Sequence, residues 1–82
     1  MIDKLQGLYV AVFYGPHDEK PNAYLHLVRH LKDGRYLARE RNFADKNAER
    51  ELQVVDLLRF DCFSIYATQD DVLNDWHEKY QR

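Results

Sequence analysis

The sequence predicts a small α+β domain: an antiparallel sheet of three to four strands with two helices, in the order β-β-β-α-β-α. Three observations carry that expectation. The first half of the chain is rich in β-branched and aromatic runs. An Asp33-Gly34 pair sits between two such runs, a strong short-range hairpin signal. Beyond residue 45 the apolar period lengthens toward that of a helix.

The first run, Gly7 to Tyr14, ends at Gly15-Pro16, a turn pair. Leu8, Val10, Val12 and Tyr14 alternate with Tyr9, Ala11 and Phe13, so both faces are apolar, and either a central strand covered on both sides or one with a face buried against a partner is expected. Gly15 to Asn22 is a polar loop with two prolines, and it reads as a connector. Ala23 to Leu31 admits two readings. As a helix it aligns Tyr24, Leu27, Val28 and Leu31 on one stripe. As a strand it sets Leu25, Leu27 and Leu31 against Tyr24, His26, Val28 and His30. The Asp33-Gly34 turn favours the strand, with Arg35 to Phe43 returning as its partner.

From Asp45, a plausible N-cap, to Arg59 a helix is expected, with Ala48, Leu52, Val55 and Leu58 or Arg59 on one face, and with Asp56 and Arg59 paired outside. Phe60 to Ala67 returns to strand character. Thr68 then caps a last helix with Asp71 three residues on, and its apolar stripe is Val72, Leu73, Trp76 and Tyr80.

An 82-residue chain holds one domain, residues 1–82, with a marginal core that a partner subunit would help. Its 45% hydrophobic and 32% charged residues are those of a globular chain rather than a disordered one. Cys62 is the only cysteine, so an internal disulfide is excluded, and it reads as a small buried hydrophobe in a reducing compartment. The apolar run of Leu8 to Tyr14 is too short for a membrane span or a signal peptide, and a cytoplasmic location without a membrane partner is expected.

The net charge of −2 gives no global attraction to nucleic acid. Its distribution is uneven: residues 29–50 hold seven cationic against four acidic side chains, and residues 51–82 hold three against seven. Arg35, Arg39 and Arg41 fall on one face of a strand, with Leu37 and Phe43. A hairpin turning at Asp33-Gly34 sets His30 opposite Leu37, which makes Arg35, Arg39, Arg41 and His30 the candidate nucleic-acid contacts.

Chemistry has weaker support. His26 and His30 would share a face on a helix, but on a strand they stand roughly 13 Å apart, too far for one ion. His17, Asp18 and Glu19 cluster in the loop without a motif, and His77 and Glu78 point apart on a helix. No glycine-rich phosphate loop exists, with glycines only at 7, 15 and 34. No catalytic, cofactor-binding or metal-binding residue is assigned, and the expectation is a protein that is not an enzyme.

Six tyrosines and one tryptophan are many for so small a core. Because Tyr and Trp are enriched at interfaces, Tyr9, Phe13, Trp76 and Tyr80 are the candidate protein-contact residues, and a homodimer or another protein partner is expected. The leading functional expectation is therefore an interaction protein, adaptor or regulatory, acting by protein–protein contact. Nucleic-acid binding through the basic strand comes second. The run from Lys32 to Leu52, a tight turn, a basic strand, then Phe43 and a charged segment, resembles the three-strand-plus-helix DNA-binding domain of some integrases. It is also similar to small phage-encoded inhibitors of bacterial defence complexes. That resemblance covers about a quarter of the chain and carries over no functional residue; it implies either DNA binding or the role of a small inhibitor protein from a phage or mobile element.

Overall fold

The structure, a computed structural model, describes residues 2–45, 47–60 and 62–81. After a 3-10 turn at Ile2–Leu5 come β1 (Tyr9–Val12), β2 (Ala23–Lys32), β3 (Arg35–Asn42) and β4 (Glu49–Asp56). A second 3-10 turn (Leu57–Arg59), β5 (Phe63–Tyr66) and a single helix, α1 (Gln69–Tyr80), complete the chain. The five strands form one antiparallel sheet in the order β4-β3-β2-β1-β5. The first four make a meander, and the chain then crosses the whole sheet to place β5 beside β1.

The hairpin at Asp33-Gly34 forms as expected, with Lys32 paired to Arg35 and Asp33 at a φ of 56°. A short polar residue accepts that left-handed backbone better than a bulky one. Two register shifts interrupt β2, one between Leu27 and Arg29 and one between His30 and Lys32. His30 therefore lies opposite Tyr36 rather than Leu37, and Arg39 faces His26. A bulge adds one residue and turns the side chains beyond it to the other face of the sheet.

The expected helix over 45–59 does not form. Asp45 does cap a turn, accepting from the Asn47 amide at 3.0 Å, but the chain then enters β4 as an edge strand. The physical reason is pairing across the sheet. Val55 packs toward one core, Gln53 bonds Glu40, and three carboxylates of β4 meet three arginines of β3. Local periodicity is a weak prior against such contacts. Asp56 pairs with Arg35 rather than Arg59, and it also accepts from the Leu58 amide at 3.0 Å. The next strand is shorter than expected, because Phe60 closes the 3-10 turn and pairing with β1 starts at Phe63. The first strand is likewise only Tyr9–Val12. The two helices and three to four strands expected from the sequence thus become one helix and five strands.

A core cluster lies on each face of the sheet. On the first, Val10, Val12, Leu25, Leu27, Tyr36 and Ala38 pack with Leu57, and the β4–β5 crossing lays Phe60 over them. On the second, α1 sets Val72 and Trp76 on Ala11, Tyr24 and Phe43. Thr68 caps the helix by accepting from the Asp71 amide at 3.1 Å, and the expected stripe of Val72, Leu73, Trp76 and Tyr80 is the one that packs. β1, apolar on both faces, contributes to both cores, as expected. No helix among the described residues is long and apolar enough to cross a membrane.

Candidate binding surfaces

The helix packs over β1 and β5, and over Tyr24 and Phe43 at one end of β2 and β3. The remainder of that face of the sheet carries Arg39 and Arg41 from β3 and His26 from β2. Their elements bring them together simply: Tyr24 pairs with Arg41 and His26 with Arg39, so four side chains stand on one face in two adjacent rows. Tyr9 of β1 adds a third row, its ring stacked on His26 with centroids 4.4 Å apart and planes 6° from parallel. With Gln69 at the start of α1, these residues line a cleft of about 250 Å³.

Burial first, then the positive charge of Arg39 and Arg41, holds the His26 imidazole below its usual pKa of 6.5. Burial likewise pushes the Tyr24 phenol up. Each arginine also has a carboxylate of β4 beside it: Arg35 with Asp56 at 4.0 Å, Arg39 with Glu51 at 3.8 Å, Arg41 with Glu49 at 3.4 Å. Arg39 and Arg41 remain more than 40% exposed, so these are surface pairs of small energy.

Arg35, Arg39 and Arg41 thus lie along one strand as anticipated, but the fourth candidate contact, His30, does not join them. The bulge at Val28 turns it to the other face, where its ring packs on Tyr36 at 5.0 Å and Nε2 donates to the Asp33 carbonyl at 2.9 Å. The residue that takes its place is His26. The sequence held the signal for it, since His26 and Tyr24 share a face in any regular strand, but bulges leave no comparable mark. His26 and His30 now lie on opposite faces, and no cluster of three or more metal-ligating side chains exists among the described residues.

The four candidate protein-contact residues do not form one patch. Trp76 is 3% exposed, stacked on Phe43 inside the protein's own core. Tyr9 and Tyr80 are half-buried beside that core. Phe13 leaves β1 toward the opposite side, where it lines a groove of about 520 Å³ with Tyr14, Val55 and Phe60. The surplus aromatics are in good part accounted for by packing within one chain. In the polar loop, Asp18 accepts from the Gly15 amide at 2.9 Å, closing a turn, while His17 and Glu19 are exposed. Cys62 is exposed rather than buried, because it lies in the crossing link just before β5 begins to pair.

The sheet has two open edges of opposite character. β4 carries Glu49, Arg50, Glu51 and Asp56, and its register shifts opposite Ala38 and Glu40. Charges and bulges of this kind obstruct pairing with another strand. β5 carries neither. From Cys62 to Gln69 there is no charged residue and no proline, β5 keeps unbroken register with β1, and Ile65 is 48% exposed.

Comparison with protein-family models, with curated proteins and with solved structures gives no match to this chain.

Proposed function

We propose that the protein is a non-enzymatic interaction protein that works by protein–protein contact, and that it associates with a second copy of itself through the open edge of β5. The observation that carries this reading is the uncharged, unbulged edge from Cys62 to Gln69. A strand pairing antiparallel with its own copy about a two-fold axis sets its residues against one another, so any charge near the axis meets its like. β5 has none to oppose, and pairing about Ile65 would cover that side chain. The same operation on β4 would set Glu51 against its copy with the axis at that residue, or Glu49 against Asp56 with the axis between Leu52 and Gln53.

A four-residue edge is short, and its contact falls below the roughly 1,200–2,000 Å² of a stable interface. The dimer is therefore concentration-dependent and held by backbone hydrogen bonds and apolar contact rather than by charge. A reducing, cytoplasmic setting suits the exposed, unpaired Cys62. Light scattering over a concentration and salt series tests this reading. A reversible dimer that persists at high salt, and that Ile65→Lys abolishes, supports it. A monomer at the highest soluble concentration refutes it.

Nucleic-acid binding stays second. The line of Arg35, Arg39 and Arg41 favours it, and the three adjacent carboxylates of β4 oppose it by neutralising that line. It requires affinity for single-stranded DNA or RNA that falls steeply with salt.

A further inference from the structure

We propose that the cleft bounded by Tyr9, His26, Arg39, Arg41 and Gln69 is a binding site for the dianionic phosphoryl group of a small molecule. Four properties of the cleft point to that chemistry. Arg39 and Arg41 stand two residues apart on one strand face, about 7 Å along the backbone, within reach of one multi-oxygen anion for two side chains of that length. The volume of about 250 Å³ suits a phosphoryl group and a small remainder. The stacked Tyr9–His26 pair forms a flat wall beside the cations. Arg39 and Arg41, which after burial help to lower the His26 pKa, extend their positive field to the His26 wall of the cleft, and that field favours an anion.

The charge of the anion follows from competition. Arg39 and Arg41 already have carboxylate neighbours in Glu51 and Glu49, at 3.8 and 3.4 Å. A monoanionic carboxylate would merely exchange for one of these. A dianion engaging both arginines displaces two weak surface pairs and gains a bridging geometry in return. The first turn of α1 adds its positive dipole end at Gln69 but also the carboxylates of Asp70 and Asp71, so the arginines carry the site.

Inorganic phosphate and adenosine monophosphate, each titrated at constant ionic strength and followed by amide and imidazole NMR, test the proposal. Saturable shifts centred on His26, Arg39, Arg41 and Gln69, with a rise in the His26 pKa as the anion offsets the arginine charge, are expected. Arg39→Gln and Arg41→Gln should each weaken binding about tenfold, with unchanged amide dispersion elsewhere, whereas Arg59→Gln should not. Tighter binding of the nucleotide identifies a phosphate ester carrying a ring as the ligand class, and equal binding identifies the phosphoryl group alone. Shifts that never saturate, or that persist unchanged in the Arg39→Gln, Arg41→Gln double variant, overturn the site.

Discussion

The indole of Trp76 lies flat on the ring of Phe43, with centroids 4.7 Å apart and planes 5° from parallel, and its Nε1 donates to the Pro21 carbonyl at 2.9 Å. One side chain thus ties α1 to the end of β3 and to the proline loop. Lys20 extends over the same ring, 5.2 Å from its centroid. Trp76→Ala should destabilise the protein by about 3–5 kcal/mol, the range for deleting a buried aromatic. Trp76→Phe should keep most of the packing but strand the Pro21 carbonyl, at a cost of about 1–3 kcal/mol. Urea denaturation of both variants distinguishes them, and near-equal values would show that the hydrogen bond, rather than the stacked area, dominates.

Asp33 holds the hairpin tip at a φ of 56°, a conformation that costs an ordinary L residue about 1–2 kcal/mol. Its backbone carbonyl, not its carboxylate, receives the His30 imidazole, so the side chain can be removed without losing that bond. Asp33→Gly should raise stability by about 0.5 kcal/mol, the relief being partly offset by the greater freedom of glycine in the unfolded chain. Asp33→Val should lower it by about 1–2 kcal/mol. The same denaturation measurement checks both signs.

The division between legible and hidden features of the sequence falls at a physical boundary. Thr68 with Asp71, and Val72, Leu73, Trp76 and Tyr80, declared α1 because capping and packing stripe are both local. Asp33-Gly34 declared the hairpin for the same reason. β4 was hidden because Ala48, Leu52 and Val55 imitate a helical period, while the contacts that decide the matter lie on another strand. A signal for those contacts was present. Arg35, Arg39 and Arg41 meet Asp56, Glu51 and Glu49 in reverse order, as two antiparallel charged segments would. The candidate arginines were placed correctly on one face, but His30 was not, since the register shift at Val28 depends on how β2 fits β3. Trp76 misled as a contact residue because an aromatic stripe looks the same whether it packs inward or outward.

Stability should be greatest across a plateau from about pH 6.5 to about pH 10. At the acid side, burial and then Arg39 and Arg41 hold the His26 pKa below its usual 6.5. The unfolded chain takes up that proton first, so the contribution is present above pH 6.5 and is lost as the pH falls through the folded value. Asp75, held below its usual 3.8 chiefly by the hydrogen bond from Tyr66, adds a further loss at lower pH. At the alkaline side, Tyr14 and Tyr66 are pushed up from 10.0 to about 12, first by burial and then by hydrogen bonds to Glu40 and Asp75. Their protonated forms are favoured by the fold, so stability is complete below pH 10 and is lost as the pH rises to about 12. Denaturation midpoints against pH, with the ultraviolet titration of tyrosinate, check this. Ionisation of all six tyrosines near 10 would contradict it.

Glu49 and Glu51 stand where they can either fasten β4 or restrain the arginines of the cleft, and the double variant Glu49→Gln, Glu51→Gln separates these roles. If the pairs mainly hold the edge strand, the variant should lose substantially more than the 0–1 kcal/mol typical of exposed ion pairs. The geometry predicts the other outcome. The Arg39–Glu51 contact is a loose 3.8 Å with Glu51 85% exposed, and the β3–β4 ladder does not depend on it. Stability should therefore change by less than about 1 kcal/mol, while Arg39 and Arg41, freed of their neighbours, should bind inorganic phosphate several-fold more tightly. Denaturation and phosphate titration of the same variant measure both quantities. A large loss of stability without any gain in anion affinity would assign the two glutamates to β4 alone.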